Sequence, residues 1–437
     1  MKNFLALLVT ALFLTSCLPG DTQVPQSPLL PFLERKAGRI AYIGSDGNIY
    51  TSDQAGGDLI AHTDDAQIPG SASEPYRYYV NPTWSHDSER LGFVGVNGQG
   101  GTTSSAIYIA EVEEETSQEV FSSDTEQPFY LYWSPDNTNL SFISSTANGQ
   151  SLILQNVSTE REERMIIDSG SPYYWSWAPD GRTMIVHTGS TQSTVPEHLA
   201  FLQVDTDILE QGVEALPASF QAPAWSPDGS HILMTRLTEQ DEKEIILTDG
   251  RGEFEKTIAT YELNTAFAWS RDSSLVGYIE GVQLLGAGTL GTLHVIDVET
   301  SETLFEAENV YGFFWSPDDE MVAYFVPMLN NEASGEQQED PNTQAEQQLL
   351  LQLNILEVDR GESRELFSFR PTDQFAAVMP YFDQYHQSAT IWSPDSNNLV
   401  VSFLTGDGQA GIAVVPASGQ LEPRLLAPGY LAFWSWE

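Results

Sequence analysis

A serine and an aspartate recur two residues apart along the chain, just behind a tryptophan. In the clearest copy, Trp225 to Gly229 spells Trp-Ser-Pro-Asp-Gly. A hydroxyl beside a carboxylate is an arrangement that nucleophilic catalysis uses, so Ser226 and Asp228 invite a catalytic interpretation. The pattern, however, begins at seven tryptophans and again, cut short, at Trp434, at intervals of 42 to 49 residues and once of 77. A period in the forties with a tryptophan-anchored turn is typical of a repeat array, which makes the pair structural.

The repeated turn has a physical explanation. Pro suits the first central position of a type I turn, and Asp or Gly suits the positions after it. Ser and Asp side chains bind backbone N–H groups where a strand ladder ends, and an indole is large enough to seal the gap between neighbouring sheets. We therefore predict structural turns at Trp84, Trp133, Trp177, Trp225, Trp269, Trp315, Trp392 and Trp434, with the aspartates Asp87, Asp136, Asp180, Asp228, Asp272, Asp318 and Asp395.

The segments between the turns predict an all-β chain. Each unit holds short runs rich in β-branched and aromatic residues, separated by Gly, Asp, Ser and Pro, as four antiparallel strands require. Residues 39–43, 48–52 and 59–62 are three such runs with no Trp turn before them, and a last run near 430–434 has nothing after it. We expect that last strand to complete the first sheet. The prediction is a single closed β-propeller of eight four-stranded blades, or of seven if one unit is irregular.

The repeated Trp-Ser-Pro-Asp-Gly turn and the strands behind it resemble the WD40-like propeller repeat of the TolB-like superfamily, over nearly all of 38–437. The resemblance implies a propeller. TolB itself carries an α/β domain ahead of its propeller, whereas only a short tether precedes the first strand here, so TolB's partners are not carried over. Prolyl oligopeptidase relatives join a similar propeller to a hydrolase domain, but we find neither that domain nor a Gly-x-Ser-x-Gly elbow.

The first residues predict export. Lys2 and the apolar run behind it match a signal peptide over 1–16, and Leu-Thr-Ser-Cys at its end looks like the lipobox of bacterial lipoproteins. Cys17, the one cysteine of the chain, is the predicted lipidation site, followed by a flexible tether over 17–37. We expect a protein anchored to the bacterial cell membrane on its extracytoplasmic side, with the lipid as its one membrane contact.

The net charge of the chain restricts the kinds of partner that it can bind. The chain has 18 Lys and Arg against 62 Asp and Glu, a net charge of −44. Such a surface repels nucleic-acid phosphates, so we expect no nucleic acid as a partner, and a monomeric protein. Hydrophobic residues still make up 41%, enough for a well-filled core.

Other chemistry is weakly indicated. The seven histidines stand at unlike positions in their repeats, so no metal, cofactor or catalytic residue is predicted. Aromatic residues are frequent in the strands that enter the turns, where they pack between sheets or line the channel. If they line it, Tyr130, Tyr173 and Trp175 are the predicted ligand contacts. Convincing long helical periodicity is absent outside the signal peptide.

The interval of 77 residues contains two additions. Residues 329–348 form an acidic insertion within a predicted hairpin, and 371–388 lengthen the connection to the next unit with aromatic residues that suit a contact surface. The favoured hypothesis is a non-enzymatic scaffold that binds an unidentified protein or peptide of the cell envelope. A carbohydrate-binding or carbohydrate-active propeller is the alternative, a purely structural envelope role a third.

Overall fold

A computed structural model of the chain describes residues 36–69, 74–146, 149–157, 164–169, 173–189, 197–204, 209–213, 216–218, 221–283, 288–329 and 349–437. Of these, Lys36–Glu437 is one compact unit. The predicted signal peptide 1–16, Cys17 and all but the end of the tether 17–37 lie outside the described residues. The acidic insertion 329–348 does so as well, apart from Leu329.

The strands are numbered in chain order. The first fifteen are β1 (Ile40–Gly44), β2 (Ile49–Ser52), β3 (Ile60–Ala61), β4 (Tyr76–Trp84), β5 (Arg90–Gln99), β6 (Thr102–Glu111), β7 (Ser117–Ser123), β8 (Gln127–Trp133), β9 (Asn139–Thr146), β10 (Gly149–Asn156), β11 (Arg164–Ser169), β12 (Tyr173–Trp177), β13 (Thr183–Thr188), β14 (His198–Gln203) and β15 (Leu209–Gly212). The next sixteen are β16 (Ala224–Trp225), β17 (His231–Leu237), β18 (Lys243–Asp249), β19 (Phe254–Tyr261), β20 (Asn264–Trp269), β21 (Leu275–Gln283), β22 (Thr289–Asp297), β23 (Thr303–Val310), β24 (Gly312–Trp315), β25 (Met321–Leu329), β26 (Leu349–Glu357), β27 (Glu362–Pro371), β28 (Asn398–Leu404), β29 (Ala410–Pro416), β30 (Arg424–Ala427) and β31 (Gly429–Trp434).

The strands pair antiparallel in chain order. In the described part of the chain, six sheets have four strands each, in the orders β3-β2-β1-β31, β4-β5-β6-β7, β11-β10-β9-β8, β12-β13-β14-β15, β16-β17-β18-β19 and β20-β21-β22-β23. The strands β24 to β30 form a seventh sheet, in which β27 meets β28 only at Arg370–Leu404 and Pro371–Phe403. The common unit thus has four strands, as the sequence predicts, and the first of them ends at the Trp of the turn.

The unit that follows Trp392 is irregular. Its inner strand is reduced to an isolated bridge between Trp392 and Leu399, so only β28, β29 and β30 remain as strands. The 371–388 segment occupies the chain just before this turn, which explains why a regular inner strand does not form there.

The last strand completes the first sheet, as predicted. β31 pairs with β1 from Ile40–Trp434 to Ile43–Leu431, and β1 pairs in turn with β2. The residues concerned are apolar and buried, and the backbone groups of β1 are therefore bonded on both sides.

Tryptophan indoles link one sheet to the next. An indole N–H donates to the carbonyl of the residue before the preceding unit's Trp, over 3.0 to 3.3 Å, in the pairs Trp84–Phe433, Trp133–Thr83, Trp269–Ala224, Trp315–Ala268 and Trp392–Phe314. Two further links use serine hydroxyls: the Trp177 indole donates to Ser141 Oγ over 3.1 Å, and the Trp225 backbone N–H to Ser176 Oγ over 3.1 Å. The Trp434 backbone N–H donates to Thr390 O over 2.9 Å. These bonds join neighbouring sheets and satisfy six of the eight turn indoles; those of Trp225 and Trp434 donate to Gly229 O and Ala37 O instead.

The fifth residue of each turn has left-handed backbone, with φ between 58° and 74°, at Ser88, Asn137, Gly181, Gly229, Ser273, Asp319 and Ser396. Gly, Asn, Asp and Ser reach this region at lower cost than bulky residues. Where a side chain is present, it accepts a hydrogen bond from the backbone of the preceding turn. Asn137 Oδ1 accepts from His86 N–H over 2.8 Å, and Asp319 accepts from Arg271 N–H and Asp272 N–H over 2.6 and 2.8 Å. The same position therefore closes each turn and joins it to its neighbour.

Two short helices, too short to show a helical period in the sequence, interrupt the strands. Residues 371–388 contain the helices α1 (Asp373–Val378) and α2 (Phe382–Ser388), joined by a 3-10 turn at Met379–Tyr381; a second such turn lies at Val358–Arg360. Thr372 caps α1, because its hydroxyl accepts from Phe375 N–H over 3.2 Å. Phe375 and Phe382 are buried in the main apolar core. The aromatic residues of the segment are therefore partly internal, since Phe375 and Phe382 are buried whereas Tyr381 is exposed.

None of the helices in the described ranges is long and apolar enough to cross a membrane.

Candidate functional site

The serine and aspartate of the repeated turn are bonded to each other and to the turn. Ser226 Oγ donates to Asp228 Oδ1 over 2.6 Å and accepts from His231 N–H over 2.9 Å. Burial raises the pKa of Asp228, but the bonds from Ser226 and Ser230 outweigh it and hold that pKa below its usual value. The corresponding Ser–Asp bond is present at Ser85–Asp87, Ser134–Asp136, Ser270–Asp272, Ser316–Asp318 and Ser393–Asp395.

The turn at Trp177 shows the same role without the serine. Ala178 stands in its place, and Asp180 accepts from Arg182 N–H and Thr183 N–H over 2.8 and 2.9 Å. The aspartate thus serves the backbone in every arrangement, which is what a structural turn predicts.

The third residue of seven of the eight turns, two positions after the Trp, lines a common cavity. His86, Pro135, Pro179, Pro227, Arg271, Pro317 and Trp436 surround a space of about 330 Å³, here called the turn cavity. Pro394, the third residue of the Trp392 turn, is outside its lining. Of these seven third-position residues, five are proline or tryptophan, whose rings carry no charge. His86 stacks on Trp436 with ring centroids 5.6 Å apart, and Arg271 supplies a cation.

Helix α2 forms the floor of the turn cavity. Asp383, His386 and Gln387 line it, and their spacing of three and four residues places them on one face of the helix. Arg271 is exposed at the turns, whereas Asp383 is only 4% exposed, so the cavity runs from the surface to the buried face of α2.

The other faces of α2 are bonded to the inner strands. Gln384 accepts from Trp175 N–H over 3.2 Å and donates to Trp175 O over 2.8 Å, which copies a strand pairing. Tyr130 OH donates to Gln384 O over 2.7 Å and lies 2.9 Å from Ser388 Oγ. Further bonds to α2 or its end come from Thr83, Pro223 and Trp269, and Phe382 packs on Phe313 at 4.7 Å between centroids. The helix is thus held by strands of five different sheets.

This placement bears on the predicted ligand contacts Tyr130, Tyr173 and Trp175. All three are buried, at 8%, 3% and 0% exposure, and they pack together with Tyr385 of α2 at their edge. Tyr130 is the extra residue of a β-bulge, with φ of 51°, which turns its hydroxyl towards α2. In this structure they hold the helix, and their role as ligand contacts stays a prediction.

Burial shifts the ionisation of the floor. It raises the pKa of Asp383 to about 6, although N–H groups of Ala222 and Gln384 bond its carboxylate. Burial also lowers the pKa of His386 to about 4, against the bond that its Nε2 makes to Trp269 O over 3.2 Å. At neutral pH the floor is therefore anionic at Asp383 and neutral at His386.

The rim carries the opposite charge. Burial lowers the pKa of His86, and the charge of Arg271 acts in the same direction, while Asp87 opposes both. The interaction places Arg271 and His86 within electrostatic reach of each other across the turn cavity.

The five histidines outside the turn cavity each have a different neighbour. His187 bonds Gln221, His62 lies 3.0 Å from Thr51 Oγ1, and His198, His231 and His294 each pair with a glutamate. Within the described ranges no group of three or more His, Cys, Asp or Glu residues could hold a metal ion.

Sequence reasoning missed the residues of the turn cavity. His86, Arg271 and Trp436 depart from Pro at the third position of the turn, and that departure was the signal that could have found them. Asp383, His386 and Gln387 had a weaker signal: an interval of 77 residues in an array whose other intervals lie between 42 and 49.

Comparisons with solved structures support the fold. Dihydro-heme d1 dehydrogenase NirN aligns over 96% of this chain and 78% of its own, with 13% identity and a TM-score of 0.53. TolB from Acinetobacter baumannii aligns over 62% of this chain with 17% identity and a TM-score of 0.37, and the C-terminal WD40 domain of Sif2 over 87% of this chain and 97% of its own, with 11% identity and a TM-score of 0.49. The alignment spans 63% of the TolB chain, less than two thirds of it.

At these identities the likeness concerns the fold alone. Together with the succession of four-stranded antiparallel sheets, the alignment with NirN supports the predicted β-propeller fold. No protein-family model and no curated protein matches the chain.

Proposed function

We propose that the chain is a lipid-anchored, closed propeller of eight blades that binds a protein or peptide partner at the cell envelope through the turn cavity. The observation that carries this proposal is the cavity itself. It opens where the turns of several blades meet, it has apolar ring walls, and it ends on three polar side chains of one helix. Apolar walls with a few converging polar groups are the usual make-up of a binding site.

The eight-bladed ring is supported by the bonds between successive sheets. Trp84 bonds the β31 end of the first sheet, and Trp434 bonds Thr390 beside the irregular last unit. If β28 to β30 with the Trp392 bridge count as a blade, these links pass from blade to blade around eight units. A closed ring leaves no inner strand edge free, which disfavours aggregation.

A scaffold is favoured over an enzyme because the repeated Ser–Asp pairs are bonded within their turns. The carbohydrate alternative relied on Tyr130, Tyr173 and Trp175 in an open channel, and α2 covers these rings. That alternative therefore has no specific support among the described residues.

Anchoring at Cys17 rests on the sequence, since that residue lies outside the described ranges. The acidic body suits it: a net charge of −44 is repelled by anionic headgroups, so a covalent lipid is a physically reasonable means of keeping such a protein at a membrane.

Two matched variants test the binding surface. Pro317→Trp places an indole in the wall of the turn cavity, whereas Pro394→Trp makes the same change at the equivalent position outside it. Trp436 shows that this position of the turn accepts an indole. We expect affinity capture from solubilised envelope to recover a partner with the wild type and with Pro394→Trp, and to lose it with Pro317→Trp. Equal recovery by all three would place the partner elsewhere.

A further inference from the structure

We infer that the turn cavity receives a primary ammonium group, carried by a lysine side chain of the partner. This rests on the proposed binding at the cavity and adds the chemistry of the group that enters it. The argument comes from the acceptors at the floor, the shape of the space and the charges that face it.

The floor offers hydrogen-bond acceptors. His386 Nε2 faces Trp269 O and must carry the proton of the neutral ring, which leaves Nδ1 as an acceptor. Gln387 donates from Nε2 to Pro223 O, whereas its buried Oε1 has no partner among the described residues. Asp383 adds a carboxylate. An ammonium group has three donors and no acceptor, so it complements this set.

The buried carboxylate of Asp383 indicates that the group entering the turn cavity is positively charged. Its carboxylate is buried at 4% exposure and has no cationic partner in the described part of the chain; its oxygens accept from backbone N–H groups, those of Ala222 and Gln384 among them. A buried carboxylate without a counter-ion is costly, and an entering cation would relieve that cost. An entering carboxylate would increase it.

The walls suit the stem of a lysine. Proline and tryptophan rings surround the four methylenes that a lysine buries while its head stays hydrogen-bonded. A space of about 330 Å³ is at the small end of binding pockets, and α2 closes its bottom, so a side chain fits and a passing strand does not.

Lysine is preferred to arginine for a geometric reason. A guanidinium binds best to two free carboxylate oxygens at once, but both oxygens of Asp383 already accept a backbone N–H. A compact ammonium needs one lone pair from each acceptor and meets that condition.

The charges at the rim act against the ammonium but weakly. Arg271 is exposed, where water screens its charge, and His86 is largely neutral because burial lowers its pKa. The overall charge of −44 draws cations towards the protein from a distance. Asp383 and His386 at the floor, and His86 and Arg271 at the rim, are charged or titratable residues that line the cavity, together with Tyr132, whose pKa burial raises so that it stays neutral.

The probe is the peptide acetyl-Gly-Lys-Gly-amide. Its binding to the whole protein is measured by saturation-transfer NMR and by calorimetry. Norleucine in place of Lys keeps the stem and removes the ammonium, acetyl-lysine neutralises it, and Glu reverses the charge. We expect binding of the Lys peptide at least about tenfold tighter than that of the three others, as a charged hydrogen bond to a buried acceptor implies. A norleucine peptide with a free amino terminus reports whether a chain end is accepted as well.

Asp383→Asn should reduce affinity for the Lys peptide about tenfold or more, whereas Asp373→Asn, an exposed carboxylate of the same segment, should change it less than about twofold. Arg271→Gln should strengthen binding slightly. If Asp383→Asn does not fold, the pH dependence of Lys-peptide binding to the wild type tests the inference instead. The affinity should fall as the pH drops through about 6, because Asp383 takes up a proton while lysine keeps its charge.

Equal binding of the Lys and acetyl-lysine peptides, or preference for the Glu peptide with loss in Arg271→Gln, would overturn the inference. These outcomes differ from failure of the proposed function. If the proposed function fails, Pro317→Trp captures the partner as well as the wild type does, independently of how the peptides bind.

Discussion

At the scale of single residues, chemical type alone misleads. Ser226 and Asp228 look like a catalytic pair, but their hydrogen bonds stabilise the turn. The third residue of the turn, which is a proline in most copies, lines the turn cavity instead. The sequence could predict the first of these because it repeats the pair. It could not predict the second, because the convergence of His86, Arg271 and Trp436 depends on the ring arrangement of the turns.

Removing a turn hydroxyl should weaken the fold and leave binding intact. Ser393→Ala, in the turn outside the turn cavity, loses the bonds to Asp395 and from Asn398 N–H, and we expect a loss of about 1 to 2 kcal/mol in the free energy of unfolding, measured by urea titration. The natural Ala178 shows that the turn still forms without this hydroxyl. A loss of partner capture without a loss of stability would contradict the structural role.

Asp383 should make stability depend on pH in a definite direction. Its pKa in the folded protein, about 6, lies above the value of 3.8 for a free side chain, so the folded state holds the proton more tightly. Its contribution is therefore fully favourable below about pH 4 and is lost as the pH rises through 6. We expect the unfolding free energy of the wild type relative to Asp383→Ala to fall over this interval by on the order of 3 kcal/mol. A difference that is constant with pH would exclude this ionisation.

At the scale of elements, strands were predictable and helices were not. The runs at 39–43, 48–52 and 59–62 reappear as β1, β2 and β3, because short runs rich in β-branched and aromatic residues between turn residues are a strong sequence pattern. Helices of six and seven residues, as α1 and α2 are, complete too few turns to show a period. They are stabilised by the strands around them, which no local pattern records.

The bond from Tyr130 to α2 offers a test of this packing. Tyr130→Phe removes the donor to Gln384 O and the contact with Ser388 Oγ, and should lower the unfolding free energy by about 1 to 2 kcal/mol. Tyr381→Phe, at an exposed site of the same segment, is the control and should change it by less than about 0.5 kcal/mol. Amide hydrogen exchange in 382–388 should quicken in the first variant alone. Unchanged exchange would mean that Tyr130 does not hold the helix.

At the scale of the whole molecule, the two ends of the propeller meet in one sheet. The truncated motif at Trp434 predicted this pairing, since a lone final strand and three unaccompanied first strands complete each other. The turn cavity, by contrast, is lined by the turns of several repeats together and has no counterpart in any single repeat.

The location of the molecule has its own test. Cys17→Ser removes the sulfur that would carry the lipid, so we expect loss of labelling by a palmitate analogue and release of the protein from the membrane fraction. Ser16→Ala, which leaves the cysteine in place, is the control. Lipid labelling that persists in Cys17→Ser would refute the anchor.

The most direct test of the central claim is site-specific photo-cross-linking in intact cells. A photoreactive residue at Arg271 stands at the turn cavity, and one at Leu425, which is 61% exposed on β30, stands on the outer edge of the same propeller. If the turn cavity binds the partner, Arg271 gives a discrete cross-linked species that Pro317→Trp abolishes, and Leu425 gives none. Cross-links from Leu425 with none from Arg271 would contradict the account.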